Sequence, residues 1–170
     1  MNYGDKHTED SLSSRLGRLY GIERGLDCGP NIIMDRYWKI WDGGERQDQY
    51  SGYYEADFLY ITNGYYLYEV EVKISIADFR ADQKKDNYHN HPDVRGLLYC
   101  VPAELYFAHG GEIERTCKDK GAGLIIVYEH EFSVLLRPKI RKDVKPLSDN
   151  GYIHYLRLFA KKWVRKREEE

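Results

Sequence analysis

The chain has little cysteine, no long apolar run and almost no net charge, and each shortage closes off a class of protein. Its three cysteines, Cys28, Cys100 and Cys117, are odd in number, far apart and free of any Cys-x-x-Cys pair. They read as reduced thiols, which excludes a disulfide-stapled scaffold and a thiolate zinc site. No apolar stretch approaches the ~20 residues that a membrane-spanning helix needs, and the N-terminus lacks the pattern of a secretory leader. The expectation is a soluble, cytoplasmic protein with no membrane partner. A formal charge of −2 carries no global signature of nucleic-acid binding. No internal repeat or low-complexity linker divides the 170 residues, so a single domain with a full core is expected.

What the chain does have is tyrosine, 16 of them, and charge that is unevenly placed. From Arg137 to Glu170 there are 11 Lys or Arg against 5 Asp or Glu, so this end carries +6 and the rest carries −8. A basic end either contacts phosphate without regard to sequence or forms the solvated face of a helix.

The most informative stretch is Tyr54 to Lys85. Tyr54–Ile61 and Tyr65–Ile74 are rich in Val, Ile, Tyr and Phe, and Asn63-Gly64 between them is a hairpin signal. In the second strand Tyr68, Val70, Val72 and Ile74 alternate with Leu67, Glu69, Glu71 and Lys73, so Glu69, Glu71 and Lys73 share one face. A two-residue loop would set Asp57 opposite Val70, on the apolar face, where a lone carboxylate is costly to bury. A three-residue loop, Thr62-Asn63-Gly64 with Gly64 left-handed, sets Asp57 opposite Glu69 and diagonal to Glu71. The three-residue loop is therefore predicted. Carboxylates converging beside a lysine make a hard-oxygen site suited to Mg²⁺ or Mn²⁺. Such a site fits phosphodiester hydrolysis, with Lys73 positioning water or offsetting developing negative charge. Cross-strand ion pairing on an exposed face is the bland alternative.

Asp57 followed by Glu71-Val72-Lys73 resembles the Asp…(Asp/Glu)-x-Lys core of the PD-(D/E)XK nuclease superfamily, although Ala56 rather than proline precedes Asp57. More narrowly, EADFLYI…YLYEVEVKISIADFRADQKK is similar to the MmcB family of putative DNA-repair proteins, whose pattern includes Glu-Ile-Lys-x-Ser and then Ala-Asp-Phe-Arg-Ala-Asp and a lysine. The likeness extends weakly through Leu97–Ala103 and Gly121–Val127 and covers about the middle half of the chain. It implies Asp57 and Glu71 as metal ligands, the Val72 carbonyl as a backbone ligand and Lys73 as the catalytic lysine. It also makes Glu9, from an N-terminal helix, a candidate further acid. Ser75 and Asp78 fit a helix start, with Ser75 as N-cap. Glu69 shares the charged face and would tune the site or extend it outward. Gln83 and Tyr88 loosely match the Gln-x-x-x-Tyr element of RecB-like nucleases, one residue too far apart.

The remaining elements follow from periodicity. Residues 1–7 read as a disordered start, 8–167 as the domain and 168–170 as a tail. Thr8–Tyr20 is a capped helix with Gly21 as its stop, Gly25–Asn31 a loop and Asp35–Trp41 a strand. Asp42–Gly52 is a polar loop on the substrate side. Ile76–Asn87 is a helix whose Arg80, Lys84 and Lys85, with Tyr88, would meet nucleic acid. His89 and His91 read as exposed loop histidines, since Pro92 argues against a strand. Leu97–Val101, Gly121–Val127 and Phe132–Leu136 are strands, and Tyr152–Arg167 is a closing amphipathic helix. The expected fold is a restriction-endonuclease-like α/β domain with a central mixed sheet flanked by helices. The expected function is a Mg²⁺- or Mn²⁺-dependent DNA endonuclease or repair nuclease, with RNA as the other substrate and a second copy of the chain as the other partner. A non-catalytic DNA-repair accessory protein on the same fold is the alternative.

Overall fold

A computed structural model describes residues 7–35, 53–85, 89, 91–129 and 131–168. Among them one six-stranded mixed sheet, in the order β1-β2-β3-β4-β5-β6, is flanked by four helices. The strands are β1 (Asp27–Asp35), β2 (Tyr53–Ile61), β3 (Leu67–Val72), β4 (Val94–Pro102), β5 (Gly123–Val127) and β6 (Phe132–Leu136). The helices are α1 (Glu9–Gly17), α2 (Ile76–Asp82), α3 (Ala103–Lys120) and α4 (Asp149–Glu168). The arrangement is the mixed α/β sheet expected from sequence. No helix among the described residues is long and apolar enough to cross a membrane.

Both faces of the sheet are covered. On one, Leu12, Leu16, Leu19 and Tyr20 pack over Phe58, Val70, Val72, Leu98 and Ile125. On the other, Phe79 of α2 and Leu105, Ile113 and Cys117 of α3 cover Tyr99, Val101, Leu124 and Ile126, while Tyr155 and Phe159 of α4 cover Leu59, Ile61 and Leu67. β3, β4 and β5 run parallel, and α2 supplies the crossover between the first two. The return between parallel neighbours needs a long crossover, usually a helix, which accounts for the helical stretch after β3. The cysteines are buried free thiols.

Several boundaries differ from the sequence reading. α1 does have the Thr8 cap, closed by a reciprocal bond with Ser11. It does not stop at Gly21 but widens into a π-helix, Arg18–Glu23, and the left-handed residue is Gly25 at φ 64°. Residues 27–31, read as loop, open β1; Cys28-Gly29-Pro30-Asn31 resembles a turn, but Gly29 is there because Phe159 lies against it. A Cβ at Gly29 would stand 2.6 Å from the Phe159 ring. Of the expected Asp35–Trp41 strand, Asp35 ends β1 and residues 36–41 lie outside the described residues, as do residues 1–6, the whole of the expected Asp42–Gly52 loop and residues 169–170. α2 ends at Asp82 rather than Asn87, and the Lys84 and Lys85 N–H groups instead close turns onto Ala81 and Asp82 at 3.2 Å each. α3 has no counterpart in the sequence reading. It begins after Pro102 and ends at Gly121, which takes φ 68° as its C-cap, and glycine is the residue that adopts this conformation without steric cost.

The hairpin register is the correction that matters most. Ile61 pairs with Leu67 and Phe58 with Val70, so the loop has five residues, Thr62–Tyr66. It is closed by Tyr65 N–H to Thr62 O (2.8 Å) and Thr62 N–H to Tyr66 O (2.9 Å). Tyr65, not Gly64, is left-handed, at φ 61°. Tertiary contacts hold it there: Leu147 N–H donates to the Tyr65 carbonyl (2.8 Å), and the Tyr65 ring meets Tyr152 edge-on. One step past Phe58–Val70 brings Asp57 opposite Glu71, two residues from the expected pairing. A shift of two preserves side-chain parity, so the charged residues still converge.

Candidate active site

The site forms where β2 and β3 part. Asn31 (φ 52°) and Asp57 are the one position left out between the Pro30–Phe58 and Ile32–Ala56 pairs of the β1–β2 ladder. Tyr54 and Ala56 cluster with Leu59 rather than with Phe58, so side-chain alternation breaks at Asp57. Such irregularities re-aim a side chain, and here the Asp57 carboxylate accepts the Val72 N–H through Oδ2 at 2.8 Å, in place of a ladder bond. In a strand the N–H and C=O of one residue point to the same side, which puts the Val72 carbonyl on the side of Asp57.

Lys73 is the centre of the charge cluster. Its ammonium bonds Glu71 Oε2 at 2.9 Å and lies 3.4 Å from Asp82 Oδ1 and 3.7 Å from Asp57 Oδ2. Its side chain is 5% exposed. Burial disfavours the ammonium, but Glu71 and Asp57 outweigh it and raise the Lys73 pKa further, so the lysine is charged. Asp57 is pushed up to about 7 by burial and by the Glu71 carboxylate, against the pull of Lys73. Glu71 is likewise raised by burial, with His89 and Lys73 opposing and Glu69 adding.

Behind these lies a second layer that sequence reasoning missed. Glu69, expected to tune the site or extend it outward, is fully buried; it accepts the Tyr54 hydroxyl at 2.7 Å and meets His89 Nδ1 at 2.6 Å. His89, read from sequence as an exposed loop residue, has a 7% exposed side chain. Its Nε2 reaches the Asp82 carboxylate at 3.2 Å. Burial opposes a proton on His89, yet the bonds to Asp82 and Glu69 raise its pKa to about 10. Asp82 accepts the Tyr99 hydroxyl at 2.8 Å. Burial would raise its pKa, but the bonds from His89 and the charge of Lys73 hold it well below the ordinary range. His91, also read as exposed, is buried and accepts the Asp93 N–H at 3.2 Å. A signal for Asp82 existed: it lies three residues after Phe79, on the sheet-facing side of α2, where an acid is out of place. His89 had none, because a left-handed residue (φ 60°) brings it into the site.

The remaining expected residues divide. Glu9 is on the exposed first turn of α1, and its pKa is raised by partial burial and by the charge of Asp57. Ser75 caps α2, accepting the Asp78 N–H at 3.1 Å. Gln83 is half-buried; its amide donates to the Phe79 carbonyl at 2.9 Å and reaches the Tyr99 hydroxyl at 3.4 Å. Arg80 donates two hydrogen bonds to the Glu112 carboxylate, both at 2.7 Å, and Lys85 lies 3.5 Å from Asp82, so two of the three cations expected to meet nucleic acid are engaged within the chain. Lys84 is exposed. Tyr88 lies outside the described residues.

Comparison with known proteins bears on the fold alone. A solved structure of a protein of unknown function from Silicibacter pomeroyi is similar, with a TM-score of 0.59 over 96% of this chain and 92% of that one, at 15% identity. No family model and no curated protein matches the chain.

Proposed function

We propose that the protein is a divalent-cation-dependent nuclease that hydrolyses phosphodiester bonds, with DNA as the substrate favoured by the sequence resemblance. The observation that carries this reading is the buried cluster itself. Four carboxylates, Asp57, Glu69, Glu71 and Asp82, face two cationic side chains, Lys73 and His89. With all six ionised the cluster carries −2, the charge one divalent ion neutralises. The donor set of Asp57, Glu71 and the Val72 carbonyl is all oxygen and fits Mg²⁺ or Mn²⁺.

Bound there, the cation would supply Lewis acidity toward a phosphoryl oxygen and a more acidic water. The chain's own residues do the rest. Lys73, held charged by Glu71 and Asp57, donates to a water or phosphoryl oxygen and offsets negative charge as it develops. Asp82 fixes the direction of the ammonium from α2, and Tyr99 in turn fixes Asp82. Packing on both faces of β3 keeps bulk water from these groups, so each charge acts in a low-dielectric setting.

The test is cleavage of labelled single-stranded, duplex and branched DNA, and of RNA, with Mg²⁺ or Mn²⁺, by the native chain and by Lys73→Ala and Asp57→Ala. Metal-dependent cutting that disappears in both variants is the expected result. A native chain that binds DNA and cuts none of these substrates would instead be an accessory binding protein.

A further inference from the structure

Glu71 faces two ways. Its Oε2 meets Lys73 on the Asp57 side, while Oε1 lies 3.6 Å from His89 Nδ1 on the Glu69 side. One ligand atom each from Glu69, Glu71 and His89 lies within 4.8 Å of the others. Crowded acids alone would mean little, but two further features point to a ligand. Oε1 belongs to a side chain that is 3% exposed and has no hydrogen-bond partner among the described residues. The other ring nitrogen of His89 is directed at the Asp82 carboxylate, the support a metal-bound imidazole almost always has. Hydroxyl donors complete the surround, Tyr54 on Glu69 and Tyr99 on Asp82.

We infer that Glu69, Glu71 and His89 form a second cation site, deeper than the one beside Asp57 and joined to it through the two oxygens of Glu71. A nitrogen donor beside two carboxylates suits Zn²⁺ or Mn²⁺ better than Mg²⁺, which prefers oxygen and retains water. The ion takes the place of the proton between His89 Nδ1 and Glu69, which move apart from their 2.6 Å contact to admit it; that proton leaves to solvent, and the other stays on Nε2, directed at Asp82. The inference deepens the proposed function and rests on it for Glu71 as a shared ligand.

Zn²⁺ binding to the full chain, followed by calorimetry, separates the two sites. Asp57→Ala should retain one Zn²⁺ at close to native affinity, whereas Glu69→Gln and His89→Gln should lose it. Asp82→Asn should weaken it roughly 10–100-fold. Circular dichroism checks that each variant folds. Nitrogen coupling from an imidazole in the electron-spin-echo spectrum of the Mn²⁺-loaded native protein provides a readout that needs no variant. Native-affinity Zn²⁺ binding in a folded His89→Gln chain, or no nitrogen coupling, would overturn the inference. Zn²⁺ held through His89 in a chain that cleaves no nucleic acid would keep this site and remove the nuclease reading.

Discussion

The two sides of β3 are equally buried and chemically opposite. Toward α1 the strand turns Val70 and Val72, each no more than 2% exposed; toward α2 it turns Glu69 and Glu71, and Lys73 follows, each no more than 4% exposed. The apolar side contributes stability by removing hydrocarbon from water. The charged side opposes folding, because the desolvation of buried ions can exceed their mutual attraction. It persists through dense pairing: Lys73 touches three carboxylates, and His89 bridges Glu69 and Asp82. A strand that needed only stability would have apolar residues on both sides, as β5, parallel to it beyond β4, does with its run of Leu124, Ile125, Ile126 and Val127. The difference teaches that the charged side is not there for stability, and the proposed function is what it would serve.

The comparison breaks most sharply on the apolar side. Phe58→Ala, beneath α1, should lower the unfolding free energy by ~3–5 kcal/mol in urea titrations, with the charge cluster left in place. A loss below 1 kcal/mol would mean that this side is not the stabilising one.

The charged side should respond to pH instead. The Asp57 pKa is raised from 3.8 to about 7, so between these values the folded chain keeps a proton that the unfolded chain releases. Stability should therefore fall as pH rises through that window, by up to ~1.4 kcal/mol per pH unit. Asp57→Asn should flatten the slope in metal-free thermal melts, and a native profile without the slope would contradict the cluster's electrostatics. His89, raised from 6.5 to about 10, acts in a separate window. Its contribution is complete below pH 6.5 and is lost as pH rises through about 10, and His89→Gln should remove that decline.

The smallest effect sharpens the comparison at a single bond. Tyr99→Phe removes the hydroxyl that donates to Asp82 while the ring still packs on Phe79. It should cost about 0.5–1.5 kcal/mol in chemical denaturation. It should lower the rate of any cleavage while leaving substrate affinity unchanged, since Asp82 acts through Lys73. An unchanged rate would separate Asp82 from the site.

Much of this was legible in the chain, though unevenly. The period-two pattern of Tyr68–Lys73 placed Glu69, Glu71 and Lys73 together, and the cost of burying a lone carboxylate brought Asp57 to them by the right parity through the wrong loop. The Thr8 and Ser75 caps were readable because each is a local bond. α3 was missed although Pro102 and Gly121 bracket it. Gly29 read as a turn because the ring that requires it comes from Phe159, far along the chain.

By itself, then, the sequence determined which residues share a strand face and where two helices begin, because alternation and capping act over a few residues. Tertiary structure alone decided that Tyr65 adopts a left-handed turn, that Asp57 stands opposite Glu71, and that Asp82 and His89 close behind Lys73. Those outcomes depend on Leu147 and Tyr152 holding the turn and on α2 lying across the sheet. Contacts between residues so distant in the chain leave no local pattern to read.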